Sequence, residues 1–150
     1  MKKFITAALF AGAFVSAGAH ATAGGTTPVK LATGYNAIGD TTSNINLARQ
    51  FNIQAIDSRA GFIKNNFEAT LSANVVAALN DDATNNRMGV VAGSNKGYVV
   101  FTGSSVGGSV SQCGPQVAKG TTNLAASLVK TETLALANAN GCGITTTTTP

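Results

Sequence analysis

Hydrophobic and polar residues alternate along much of this chain. Ile45, Leu47, Arg49, Phe51, Ile53 and Ala55 occupy alternate positions, with Asn46, Ala48, Gln50, Asn52 and Gln54 between them. Period 2 is the mark of a strand with one buried face. A helical stripe of Leu47, Ala48, Phe51 and Ala55 fits less well. Phe67, Ala69, Leu71, Ala73 and Val75 alternate in the same way with Glu68, Thr70, Ser72 and Asn74. The apolar run from Val76 to Leu79 then breaks the pattern, as a bulge or a fully buried strand end would.

Turn signals separate these runs. Gly39 to Ser43 and Asp57 to Gly61 read as turns. Asn80 to Asn86 (NDDATNN) is a loop of residues that bond their own backbone. Gly89 to Val91 and Tyr98 to Phe101 flank the loop Gly93 to Gly97, the strongest hairpin signal in the chain. Val29 to Tyr35 predicts a short strand. Gly103 to Ser111 is a linker or a glycine-bearing strand. The segment 122–139 reads in two ways. Thr122 or Asn123 would cap a helix with Leu124, Leu128 and Ala135 on one face; alternatively, 127–136 suits a strand. The helix is the preferred reading. These elements predict a mainly β fold, an antiparallel β-sandwich or meander with a C-terminal helix as an option.

The first residues follow a different pattern. Lys2 and Lys3 precede an almost wholly apolar run from Phe4 to Val15, and small residues lead to Ala23. This is the pattern of a secretory signal peptide over 1–23, cleaved after Ala23. The apolar run is shorter than the ~20 residues of a membrane span. A single secreted β-rich domain is expected over 24–144. The tail 145–150 (TTTTTP) has no apolar face and reads as disordered. The expected location is secreted, in the periplasm or on a bacterial cell surface.

Removing the signal segment changes the electrostatics. The full chain carries a formal charge of +4 and one His. Loss of Lys2, Lys3 and His20 would leave about +2 and no His. The eight remaining basic residues are spread along the sequence without a run or interleaved aromatics, so nucleic acid is not an expected partner. Charged residues make up only 11% of the chain, against a usual value of about 25%.

Cys113 and Cys142 are the two cysteines. Export places such a pair in an oxidising compartment, and their separation is far from a redox Cys-x-x-Cys. A disulfide is expected, contributing about 3.5 kcal/mol by restricting the unfolded chain.

Catalytic patterns fail for want of partners. Gly103-Ser104-Ser105-Val106-Gly107 matches G-x-S-x-G, but no His remains to take the serine proton. Ser127 and Lys130 have S-x-x-K spacing without companion elements. The acids Asp40, Asp57, Glu68, Asp81, Asp82 and Glu132 define no pair by spacing alone. Asp81, Asp82, Asn85 and Asn86 are a weak calcium candidate, because oxygen donors cluster there but the EF-hand Gly and distal Glu are missing. Zinc is disfavoured, and no cofactor is expected. Phe51, Phe62, Phe67, Tyr98 and Phe101 are expected mostly in the core, the alternative being an aromatic ligand platform.

An enzyme is therefore not expected. The preferred reading is a structural or adhesive surface subunit, fimbria-like or part of an extracellular matrix, assembling by strand addition through 26–35 or 127–136. Its partners would be its own copies or other surface proteins. The alternative is a soluble binding module for a glycan or protein ligand. Nothing matches the prepilin pattern of a Gly-Phe junction with Glu soon after.

Overall fold

The computed structural model describes residues 26–40, 45–118 and 128–144. The expected signal peptide with Ala23, the Thr-rich tail, Ser127 and most of the expected helix start lie outside the described residues.

The protein is mainly β, as the alternation predicts. Strands β1 (Thr27–Lys30), β3 (Arg49–Gln54) and β4 (Phe67–Leu71) form one sheet in the order β1-β3-β4. Strands β2 (Gly34–Ile38), β5 (Val75–Asp82), β6 (Arg87–Ser94), β7 (Val100–Ser104) and β8 (Ser111–Cys113) form a second sheet in the order β2-β5-β6-β7-β8. Only the β1–β3 pair is parallel; β5 to β8 make an antiparallel meander.

The chain changes sheets three times, from β1 to β2, from β2 to β3 and from β4 to β5, and the first and last of these crossings are tight. Leu31 to Thr33 lead from β1 into β2, and Ser72 to Asn74 lead from β4 into β5. Asn74 takes φ +64°, a left-handed conformation that Asn tolerates better than most side chains. The two sheets therefore stack in the same order, and an apolar layer fills the space between them. Leu31, Ile38, Phe51, Ile53, Ala77 and Leu79 are its buried members.

The second face of the five-stranded sheet is also covered. Val76, Ala78, Val91, Val100 and Cys113 pack there with Val129 and Leu134. Fully burying each valine is worth about 1.5–3 kcal/mol. Their cover is an irregular strap, residues 128–144, with a 3-10 turn at Thr131–Thr133 and a bridge between Leu134 and Cys142. Gly89 permits the close approach, since a Cβ there would overlap the Leu136 side chain. Cys113 and Cys142 form the expected disulfide, joining the end of β8 to the strap. The Tyr35 hydroxyl donates to the Val129 carbonyl at 2.8 Å and fastens the strap to β2.

Several expectations need correction. The alternation from Phe67 to Val75 is two strands in different sheets, because the turn at 72–74 preserves the parity of the pattern. The run Val76 to Leu79 is no bulge: β5 is central, so both of its faces are buried. The single strand expected over 29–35 is split between β1 and β2. The loop expected over 80–86 shrinks to 83–86, with Asn80, Asp81 and Asp82 inside β5. The β6–β7 loop is 95–99, two residues later than expected. The preferred helix over 122–139 is not formed across 129–139, where the strap has only its 3-10 turn, a bridge and turns. Leu134 and Thr133 are buried against the sheet, and that packing outweighs helix propensity.

Candidate functional site

The three-stranded sheet covers only part of its larger neighbour. Among the described residues, the same face of β6 and β7 continues without a second sheet above it. Met88, Val90 and Ala92 of β6 lie on this face, and Phe101 is the cross-strand partner of Ala92. Together with Phe62 and Val110 they line an open groove of about 400 Å3. Phe101 is 46% exposed and Val110 75% exposed. Exposed apolar groups gathered in one concavity are the surface feature most informative about binding.

A loop wall is built around Asp81. This carboxylate is fully buried on the inter-sheet face of β5. It accepts the backbone N–H of Phe62 at 2.6 Å and of Ile63 at 3.2 Å. Burial of a charged group is tolerated only with such partners. Gly61 makes room, as a Cβ there would overlap the carboxylate. The result fixes Phe62 at the groove wall.

The four sheet edges differ in how they are protected. β1 has Pro28, which offers no N–H. β2 begins at Gly34 (φ +100°), and its Asn36 side chain bonds the Ala32 and Gly34 backbone. β8 is three residues long and ends in the disulfide. β4 (FEATL) has neither Pro nor Gly and carries one charge, Glu68. Its Ala69 and Leu71 point inward to the apolar layer, while Phe67 is 42% exposed. β4 is the least defended edge, and the segment that leads into it carries Phe62 of the groove wall.

The residues singled out for other chemistry are placed elsewhere. Asp81 and Asp82 are consecutive on β5, so their carboxylates leave on opposite faces. Asp82 accepts the N–H groups of Thr84 and Asn85, and the Asn85 side-chain amide at 2.6 Å. Those Asn85 hydrogen bonds, side chain first, hold the Asp82 carboxyl below its ordinary pKa. Asn86 turns the loop at φ +49°. The oxygen donors read as one cluster are thus divided between a buried anchor and a hairpin turn. Among the described residues no three His, Cys, Asp or Glu side chains are grouped to hold a metal.

Ser105 of the G-x-S-x-G match is likewise absorbed by the sheet. Its N–H donates to the Met88 carbonyl at 2.8 Å, and its hydroxyl accepts the Met88 N–H at 2.9 Å. It extends the β6–β7 ladder by one residue. Of the aromatic residues expected in the core, Phe51 is buried, but Phe62, Phe67 and Phe101 remain well exposed. The expectation failed there because the covering sheet has three strands and the floor has five. No protein family, curated protein or solved structure matches this chain. Among the described residues no helix is long and apolar enough to cross a membrane.

Proposed function

We propose that this protein is an exported structural or adhesive surface subunit that self-associates by strand addition, with β4 and the apolar groove as the receiving site. One observation carries the reading: among the described residues β4 is an unpaired sheet edge, and Val90, Ala92 and Phe101 of the neighbouring sheet line an open apolar groove. A strand laid along β4 would extend the three-stranded sheet and cover Val90, Ala92 and Phe101. Main-chain hydrogen bonds would supply affinity, and the groove would hold alternate side chains.

The occupant is a single extended segment from a second copy. The two segments favoured by the sequence are less suited to this role. Residues 128–136 are held by the buried Val129, Thr133 and Leu134, and 26–35 supplies β1 and the start of β2. The donor we favour is Thr145 to Pro150. Its side chains carry no charge, and it is rich in a β-favouring residue. It follows Ile144, which packs against Gly114 just past β8.

The test is size-exclusion chromatography and electron microscopy of the mature protein at high concentration. Two variants accompany it, a chain ending at Ile144 and the double substitution Phe101→Lys/Val110→Lys. The expected result is multimers for the parent chain and monomers for both variants, with unchanged circular dichroism. A parent chain that stays monomeric, or variants that assemble equally well, would overturn the proposal.

A further inference from the structure

The basic residues that look dispersed in sequence are partly gathered by the fold. β1 ends at Lys30, β3 ends at Gln54, and β4 begins just after Asn66. This end of the three-stranded sheet forms an open polar cleft of about 530 Å3. Lys30, Arg59 and Lys64 line it, with Asn65 and Asn66, and Asp57 is the single acid among its lining residues. Three cations against one carboxylate leave a local excess of positive charge.

Its parts are held in position. Lys30 pairs with Asp57 at 2.8 Å across an exposed surface. The Asn66 side-chain oxygen accepts the Ala55 N–H at 3.0 Å, joining the two segments of the wall. Lys64 donates to the Arg59 carbonyl at 3.1 Å. Between them, Ser58 and Arg59 are successive non-glycine residues in the left-handed region, at φ +57° and +54°. Each such residue costs of order 1 kcal/mol or more, and strain of this kind concentrates at binding sites. Here it forces the chain to bulge at the one point where Arg59 joins the cleft.

We infer that this cleft is a binding site for an anionic saccharide, with Arg59 and Lys64 meeting its carboxylate or sulfate and the Asn65 and Asn66 amides meeting its hydroxyls. Guanidinium and ammonium groups bind such anions through charge-assisted hydrogen bonds. The volume lies in the usual range for small-ligand sites. Single-stranded nucleic acid is the less favoured occupant, because no aromatic side chain lines the cleft to stack a base. The two sites share no lining residue, and the titration reads saccharide binding whether or not the protein self-associates.

The experiment is calorimetric titration of the mature protein with four probes: a uronic-acid oligosaccharide, a sulfated oligosaccharide, a neutral oligosaccharide and inorganic sulfate. A single-stranded oligonucleotide is the fifth arm. The expected result is binding of at least one acidic oligosaccharide that weakens with added salt. Affinity should fall at least tenfold in Arg59→Ala/Lys64→Ala, whose exposed positions leave the melting temperature unchanged. Binding of the neutral sugar equal to the acidic ones would overturn the inference. So would an unaffected double variant, no saccharide binding, response to inorganic sulfate alone, or tighter binding of the oligonucleotide.

Discussion

The buried carboxylate of Asp81 accepts the backbone N–H of Phe62 at 2.6 Å, joining the C-terminal end of β5 to the wall of the apolar groove. The pairing ties a strand of the five-stranded sheet to the loop before β4, across 19 positions of sequence. It serves the core and the groove together, since the same contact that satisfies a buried charge also fixes where Phe62 stands.

Asp81→Ala is therefore expected to destabilise the protein by about 2–3 kcal/mol, because the Phe62 and Ile63 amides lose a charged acceptor. Asp81→Asn, which keeps one acceptor oxygen, should fall between the alanine variant and the parent. Urea unfolding measures the order, and hydrogen exchange at the 62 and 63 amides should quicken in both. An alanine variant as stable as the parent would refute the role given to this carboxylate.

The Cys113–Cys142 bond holds the strap over one face of the five-stranded sheet. Cys113→Ala/Cys142→Ala is expected to cost about 2–4 kcal/mol of unfolding free energy. The loss should be uneven. The amides of Ala135 and Gly143, bonded to Gly141 and Thr133 within the strap, should exchange faster. Those of β5 and β6, at the centre of the sheet, should change least. Uniform loosening of both regions would argue against a separately tethered strap.

Tyr35 predicts an alkaline limit to stability. Burial, and secondarily the charge of Glu132, raise its pKa above the ordinary value of 10.0. The protonated phenol is the form the fold favours, and its hydrogen bond to Val129 needs that proton. Its stabilisation is present below the unfolded pKa and is lost as pH rises through the higher folded value. Unfolding measured from about pH 8 upward should show stability falling above about pH 10. Tyr35→Phe should be less stable at neutral pH and should lack this part of the fall. A Phe variant with the same alkaline slope would show that another group is responsible.

The legibility of the fold varies with how local each cause is. The alternation at 49–54 and the Gly-bearing signal near 93–97 reflect side-chain parity and turn chemistry, and both became strands or hairpins. The split at Ser72 to Asn74 was hidden because the turn kept the parity of flanking residues intact. The strap over 128–144 was misread for the opposite reason: its conformation is imposed by the sheet beneath it and by the disulfide.

The sequence by itself determined a β-rich protein with few charges and a cysteine pair that bonds. Those properties follow from composition and near-neighbour pattern. Only the tertiary structure decided that five strands lie beneath three, leaving Phe101 and Val110 uncovered. It alone moved Asp81 from a presumed polar loop into the core, and brought Lys30, Arg59 and Lys64 around one cleft. Strand order and sheet stacking are set by contacts between distant residues, and no periodicity along a single chain records which strands become neighbours.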